Sequence, residues 1–253
     1  MASVKQVSSE RSPGECLRAA LDAESPAQRA EHAREGLVAI SHQSDDELDA
    51  DTHFLLLRQV YLSELEAHRF RAAADVALEM AMLPSMVDVA RHDASRALLA
   101  LEDRGGAVAQ QRLAARAAPP ERRSFQWWSL GVLLHFGGDA HGALHAFRRG
   151  QRWASDDRPL IQAHAAWVQL ENDEVPEDLE MTLHALESSP RARTGYGCLI
   201  LGMLRYLMGD LRGAAVHLRS WLRRNAAADA AKAITLREEL RRARTVLAEI
   251  ESD

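Results

Sequence analysis

The sequence predicts an all-α fold, a right-handed α-solenoid of about five to six antiparallel helix pairs closed by a C-terminal capping helix. Three observations carry that expectation. The apolar fraction is 47% with only 5% aromatics, and alanine and leucine, both strong helix formers, supply most of it. Alternating runs of Val, Ile, Thr and Tyr, the mark of half-buried strands, are absent. A pattern of turn, small and large residues also returns at a period near 34 residues, which is the spacing of a helical repeat.

The elements follow in chain order. Residues 1–14 are polar and Ser-rich, and read as a flexible N-terminus. They have no apolar core, so they are not a secretory signal. Cys16–Asp22 followed by Ala27–Ile40 forms a faint first pair. Residues 41–51, with Asp45, Asp46, Glu47, Asp49 and Asp51, read as a solvated acidic loop. A calcium loop would need regularly alternating ligands and a glycine at its bend. His68, Ala73, Ala77 and Met80, closed by Pro84, mark the next pair. Gly105-Gly106 is placed in the inter-helix turn of another, with Pro119-Pro120 after it.

The clearest unit starts at Trp127, with Leu130-Gly131, Leu134, Ala143, Phe147 and Gly150. Trp127, Leu130 and Leu134 share one helical face. Gly131 and Ala143 are small enough for the two helices to approach closely. Gly138 can end the first helix in a left-handed conformation, and Asp139 can cap the second. Gly138, Ala143, Phe147 and Gly150 have counterparts 71 residues later in Gly209, Ala214, Leu218 and Trp221. A degraded unit lies between them, marked by Asn172, Glu177, Met181 and His184, with Ala165 as its small residue. The last helix, 226–251, carries Ala233, Leu236, Leu240, Ala243, Leu247 and Ile250 at 3-4-3-4-3 spacing. That stripe suits a cap on the open end of a stack, or a short coiled-coil seam between two copies.

The spacing from Trp127 to Phe147 resembles the tetratricopeptide signature, with Leu134 in place of its tyrosine. The resemblance covers residues 52–225 well and 15–40 poorly. It divides the chain into the N-terminus 1–14, a repeat domain 15–225 and a capping helix 226–253. In this family the first helices of the pairs line a concave surface that holds partners. Bacterial members commonly serve as assembly factors, secretion or motility scaffolds, or regulators. The resemblance therefore implies an adaptor that binds another protein or peptide segment and catalyses nothing.

Composition narrows the alternatives. A net charge of −6 argues against a nucleic-acid partner, which calls for a basic face. The near-exclusive use of arginine over lysine reads as the codon bias of a high-GC genome. Gly197–Gly209, the most apolar stretch, is interrupted by Arg205 and too short to span a bilayer. Two distant cysteines, Cys16 and Cys198, do not suggest a disulfide framework. A cytoplasmic protein without membrane insertion is expected.

The expected partner-binding stripe comprises Phe125, Trp128, Val132 and His135 in the clearest unit, and Tyr196, Leu199, Met203 and Tyr206 in the last. The degraded unit adds Gln162, Ala166 and Gln169. Arg58 belongs to the upstream stripe of Leu55, Leu62 and Leu65, and is its one basic member. Clamping a C-terminal carboxylate would need clustered Lys, Arg and Asn, so an apolar segment is the better ligand. A receptor for a peptide or small ligand could use the same groove. A metal-dependent enzyme would have to start from His141 and His145, four residues apart on one helix face. No Glu follows His141 and no third ligand is placed by spacing, so neither a metal nor a cofactor is expected. Residues 1–14 could also fold back and block the groove.

Overall fold

The computed structural model describes residues 11–42, 49–190 and 195–252. Among these residues the chain is all-helical, with no strand. It forms two compact units, Met1–Asp103 and Arg104–Asp253.

The first unit contains α1 (Pro13–Leu21), α2 (Pro26–Ser41), α3 (Ala50–Glu66), α4 (Phe70–Met80) and α5 (Val87–Ala100). Each helix packs on the next, and α1 also meets α3. Prolines at the first helical position start α1 and α2, and Ser12 and Ser25 cap them. Asp49 caps α3, so the end of the acidic 41–51 stretch belongs to a helix start. Asp45, Asp46 and Glu47 lie outside the described residues. Cys16, Ala20, Ala33, Ile40, Leu56 and Val60 form the core between α1, α2 and α3. Among the described residues three carboxylates are buried in this unit, Glu64, Asp88 and Asp93. Glu64 accepts Arg34 at 2.6 Å and also Arg69. Asp93 accepts Arg58 Nε at 2.9 Å, and its carbonyl receives the Tyr61 hydroxyl at 3.1 Å.

The second unit contains α6 (Arg104–Ala117), α7 (Pro120–His135), α8 (Ala140–Gln151), α9 (Arg158–Leu170), α10 (Leu179–Glu187), α11 (Gly197–Leu207), α12 (Leu211–Asn225), α13 (Ala230–Thr235) and α14 (Arg237–Ser252). Successive helices pack together from α6 to α12, α9 also meets α11, and α14 packs on α11 and α12. Gly131 does what its spacing implies: a Cβ there would sit within 3.0 Å of the Phe147 ring of α8. Gly202 approaches Leu218 of α12 in the same way.

One turn recurs at five helix ends. At α3, α5, α7, α9 and α11 a residue with positive φ follows the helix: His68, Glu102, Gly138, Asp173 and Gly209. In each, that residue's N–H donates three residues back, and the next N–H donates five back, at 2.9–3.2 Å. This pair of bonds satisfies the last carbonyls of a helix through a left-handed residue. The five positions are 34, 36, 35 and 36 residues apart. The expected period is thus present in the backbone even where the glycine is missing.

Three expectations are corrected. Gly105 and Gly106 lie inside the first turn of α6, and the turn itself falls at Glu102. The degraded unit turns at Asp173, not Asn172. The C-terminal segment is not one helix: it breaks at Leu236 into α13 and α14.

Candidate functional site

The expected stripe of the second unit is built by α7, α9 and α11. Pro120 sets the start of α7, and Arg123 donates through Nε and Nη2 to the Ala118 carbonyl at 2.9 and 2.7 Å. This anchors the helix end that presents Phe125 and Trp128. Asp139 and Asp210 cap α8 and α12 through the amides of Gly142 and Gly213, which fixes the direction in which α7 and α11 end.

The structure brings together most of the stripe, but much of it inside the core. The rings of Trp128 and Tyr196 meet edge to face at 4.8 Å, joining α7 to the start of α11. Tyr196 also meets Trp221 at 5.6 Å and His164 at 5.9 Å. Val132, His135, Leu199 and Met203 are buried. They were expected to face an open groove; instead they fill the space between neighbouring helices, which hides apolar surface more completely. Gln162 is exposed and Gln169 half-buried on α9. Arg58 belongs to the other unit, where Asp93 engages it. His141 and His145 are exposed on α8, and among the described residues no group of three His, Cys, Asp or Glu side chains is placed so that it could hold a metal ion.

What remains open is the α7 end of the stripe. Phe125 is 43% exposed, and its ring lies 6.0 Å from that of Trp128. With Leu160, Ile161 and Asp157 they line a cavity of about 170 Å³. The lining is apolar apart from Asp157.

Behind Trp128 lies a polar relay that the spacing did not reveal. His135 Nδ1 is 3.0 Å from His164 Nε2, and His135 Nε2 is 2.7 Å from Glu171 Oε2. Glu171 also accepts the Trp167 indole N–H at 2.7 Å and Arg242 Nη1 at 3.2 Å. Burial first, then the neighbouring His135 and Arg242, push the His164 imidazole well below its ordinary pKa, so the ring is neutral. Burial alone would raise the Glu171 carboxyl, but the bond from His135 and the charge of Arg242 hold it below the usual carboxylate range. His164 Nδ1 and the indole nitrogens of Trp128 and Trp221 are buried without a hydrogen-bond partner. His164, Trp167 and Glu171 do recur at helical spacing of three and four, which could have marked a polar stripe on α9. The contribution of Arg242 had no such signal.

The stripe also meets α14. The Tyr196 hydroxyl donates to Glu239 at 3.3 Å and the Tyr206 hydroxyl to Glu249 at 2.7 Å. Arg242 adds a cation–π contact 4.6 Å from the Phe136 ring centre, at the end of α7. The C-terminal helix thus reaches α7, α9, α11 and α12, rather than only closing the last pair. Its apolar stripe, with Leu240, Ala243 and Val246 buried and Ile250 partly so, is covered within the chain.

No protein-family model matches the chain, and no curated protein is significantly similar to it. Among the described residues no helix is long and apolar enough to cross a membrane.

Proposed function

We propose that the chain is a protein-interaction adaptor, a right-handed solenoid of the tetratricopeptide kind that holds a segment of a partner protein. The recurring left-handed turn, with one helix pair per period near 35 residues, supports the repeat reading. The observation that carries the binding reading is the cavity at Phe125 and Trp128. Aromatic side chains left half-open beside aliphatic ones are what an apolar anchor of a partner fills, and such pockets concentrate binding energy. The anchor is a single apolar side chain, seated between Phe125, Trp128, Leu160 and Ile161. The chain itself makes or breaks no bond.

Phe125→Glu tests this. The residue is exposed enough for the fold to tolerate a charge, yet it forms the cavity wall. Wild-type and variant chains are used in parallel for affinity capture from the source cell, with quantitative mass spectrometry. A partner recovered by the wild type and depleted at least tenfold by the variant is expected, corresponding to about 1.4 kcal/mol or more of lost binding. Equal recovery by the two chains contradicts the pocket assignment.

A further inference from the structure

We infer that α14 is an exchangeable occupant of the partner-binding face, and that the partner segment which replaces it is an amphipathic helix of the same pattern. This rests on the adaptor reading and specifies its ligand.

The contrast with α11 carries the inference. Helix α11 buries eight of its eleven residues. Helix α14 buries only Glu239, Leu240, Ala243 and Val246 of sixteen, and eight of its residues are charged. Its outer attachments are polar and partly wet. Arg242 and Glu171 are each about a quarter exposed, and the Arg219–Glu251 pair at 2.8 Å is half exposed. Exposed ion pairs contribute little to stability because water competes for both partners. The tether is loose too: α13 has no buried residue. The helix therefore costs less to release than α11, and local opening begins where buried apolar contact is sparse.

The seat that α14 leaves has a definite chemistry. It takes apolar side chains at the spacing of Leu240, Ala243, Val246 and Ile250. It offers the hydroxyls of Tyr196 and Tyr206 to carboxylates, and Glu171 to a guanidinium. A helix presenting an apolar stripe between an early and a late carboxylate matches all of these at once, in the manner of helix-in-groove recognition.

The full-length chain and a labelled peptide of residues 237–252 test the inference. In native-state hydrogen exchange of the wild type, α14 amides are expected to exchange at least tenfold faster than those of α11 and α12. The peptide is expected to bind at least tenfold more tightly to Arg242→Glu than to the wild type, because the variant's own helix vacates the seat. Ala243→Glu, which places a charge in the α14 contact, provides a second release, and circular dichroism checks that the remaining helices persist. Exchange of α14 at the rate of α11 and α12 overturns the inference, as does collapse of unit 2 in both variants or absence of peptide binding to either. If α14 stays closed while Phe125→Glu still loses a cellular partner, the adaptor reading survives and this inference falls. If the peptide binds the released chains but no cellular partner depends on Phe125, the reverse holds.

Discussion

His164 has no exposed surface, and its ring sits among Trp128, Phe147, Trp167 and Tyr196. Unfolded, it would take up a proton near its ordinary pKa; folded, burial keeps the ring neutral well below that. Below about pH 6.5 the unfolded chain therefore binds the extra proton. The stability held by this residue is complete above that pH and is lost as pH falls, by at most about 1.4 kcal/mol per pH unit. Glu171 acts in the same direction lower down, since its depressed pKa means its stabilisation disappears as it protonates below the usual carboxylate range. Urea unfolding of the wild type should weaken from pH 7.5 to 5.5. His164→Gln, whose amide can still donate to His135, should flatten that slope, although half-buried His217, shifted the same way, leaves a remainder. An identical slope in both proteins would contradict this account. The sequence held one hint of it, the spacing of His164, Trp167 and Glu171. His135 stood out by its place on a stripe, but its partners His164 and Glu171 come from α9 and its C-terminal end.

Helix ends were legible where glycine marks them and at His68, and were misplaced at Glu102 and Asp173. Gly138 and Gly209 announce their turns, because a positive φ costs glycine nothing. His68, Glu102 and Asp173 adopt the same turn with a Cβ, at a cost of about 1–2 kcal/mol each. The glutamate case misled the reading, since Gly105-Gly106 lay three residues further on and looked like the turn. A reciprocal pair of substitutions checks the assignment. Gly138→Ala should destabilise by about 1 kcal/mol, and Glu102→Gly should stabilise by a similar or smaller amount after its added unfolded-state entropy. Equal signs for the two in thermal unfolding would mean that the turns are not equivalent. The break at Leu236 carries no glycine or proline, so the heptad-like stripe through 226–251 gave no warning of it.

At the scale of the whole molecule, the sequence indicated an all-helical chain and the unit from Trp127 to Gly150, because both follow from local periodicity. It could not indicate which apolar face stays open. Val132, Leu199 and Met203 share helical stripes with Phe125 and Tyr196, yet neighbouring helices bury them, and α14 folds back across Tyr196 and Tyr206. The Phe125–Trp128 end retains a cavity. Binding at that face is the central claim, and hydrogen exchange of the full chain with and without a captured partner tests it most directly. The account predicts slowed exchange in the helical turns that carry Phe125, Trp128, Leu160 and Ile161 when the partner is bound. Unchanged exchange there, with protection confined to residues 13–100 of the first unit, would contradict it.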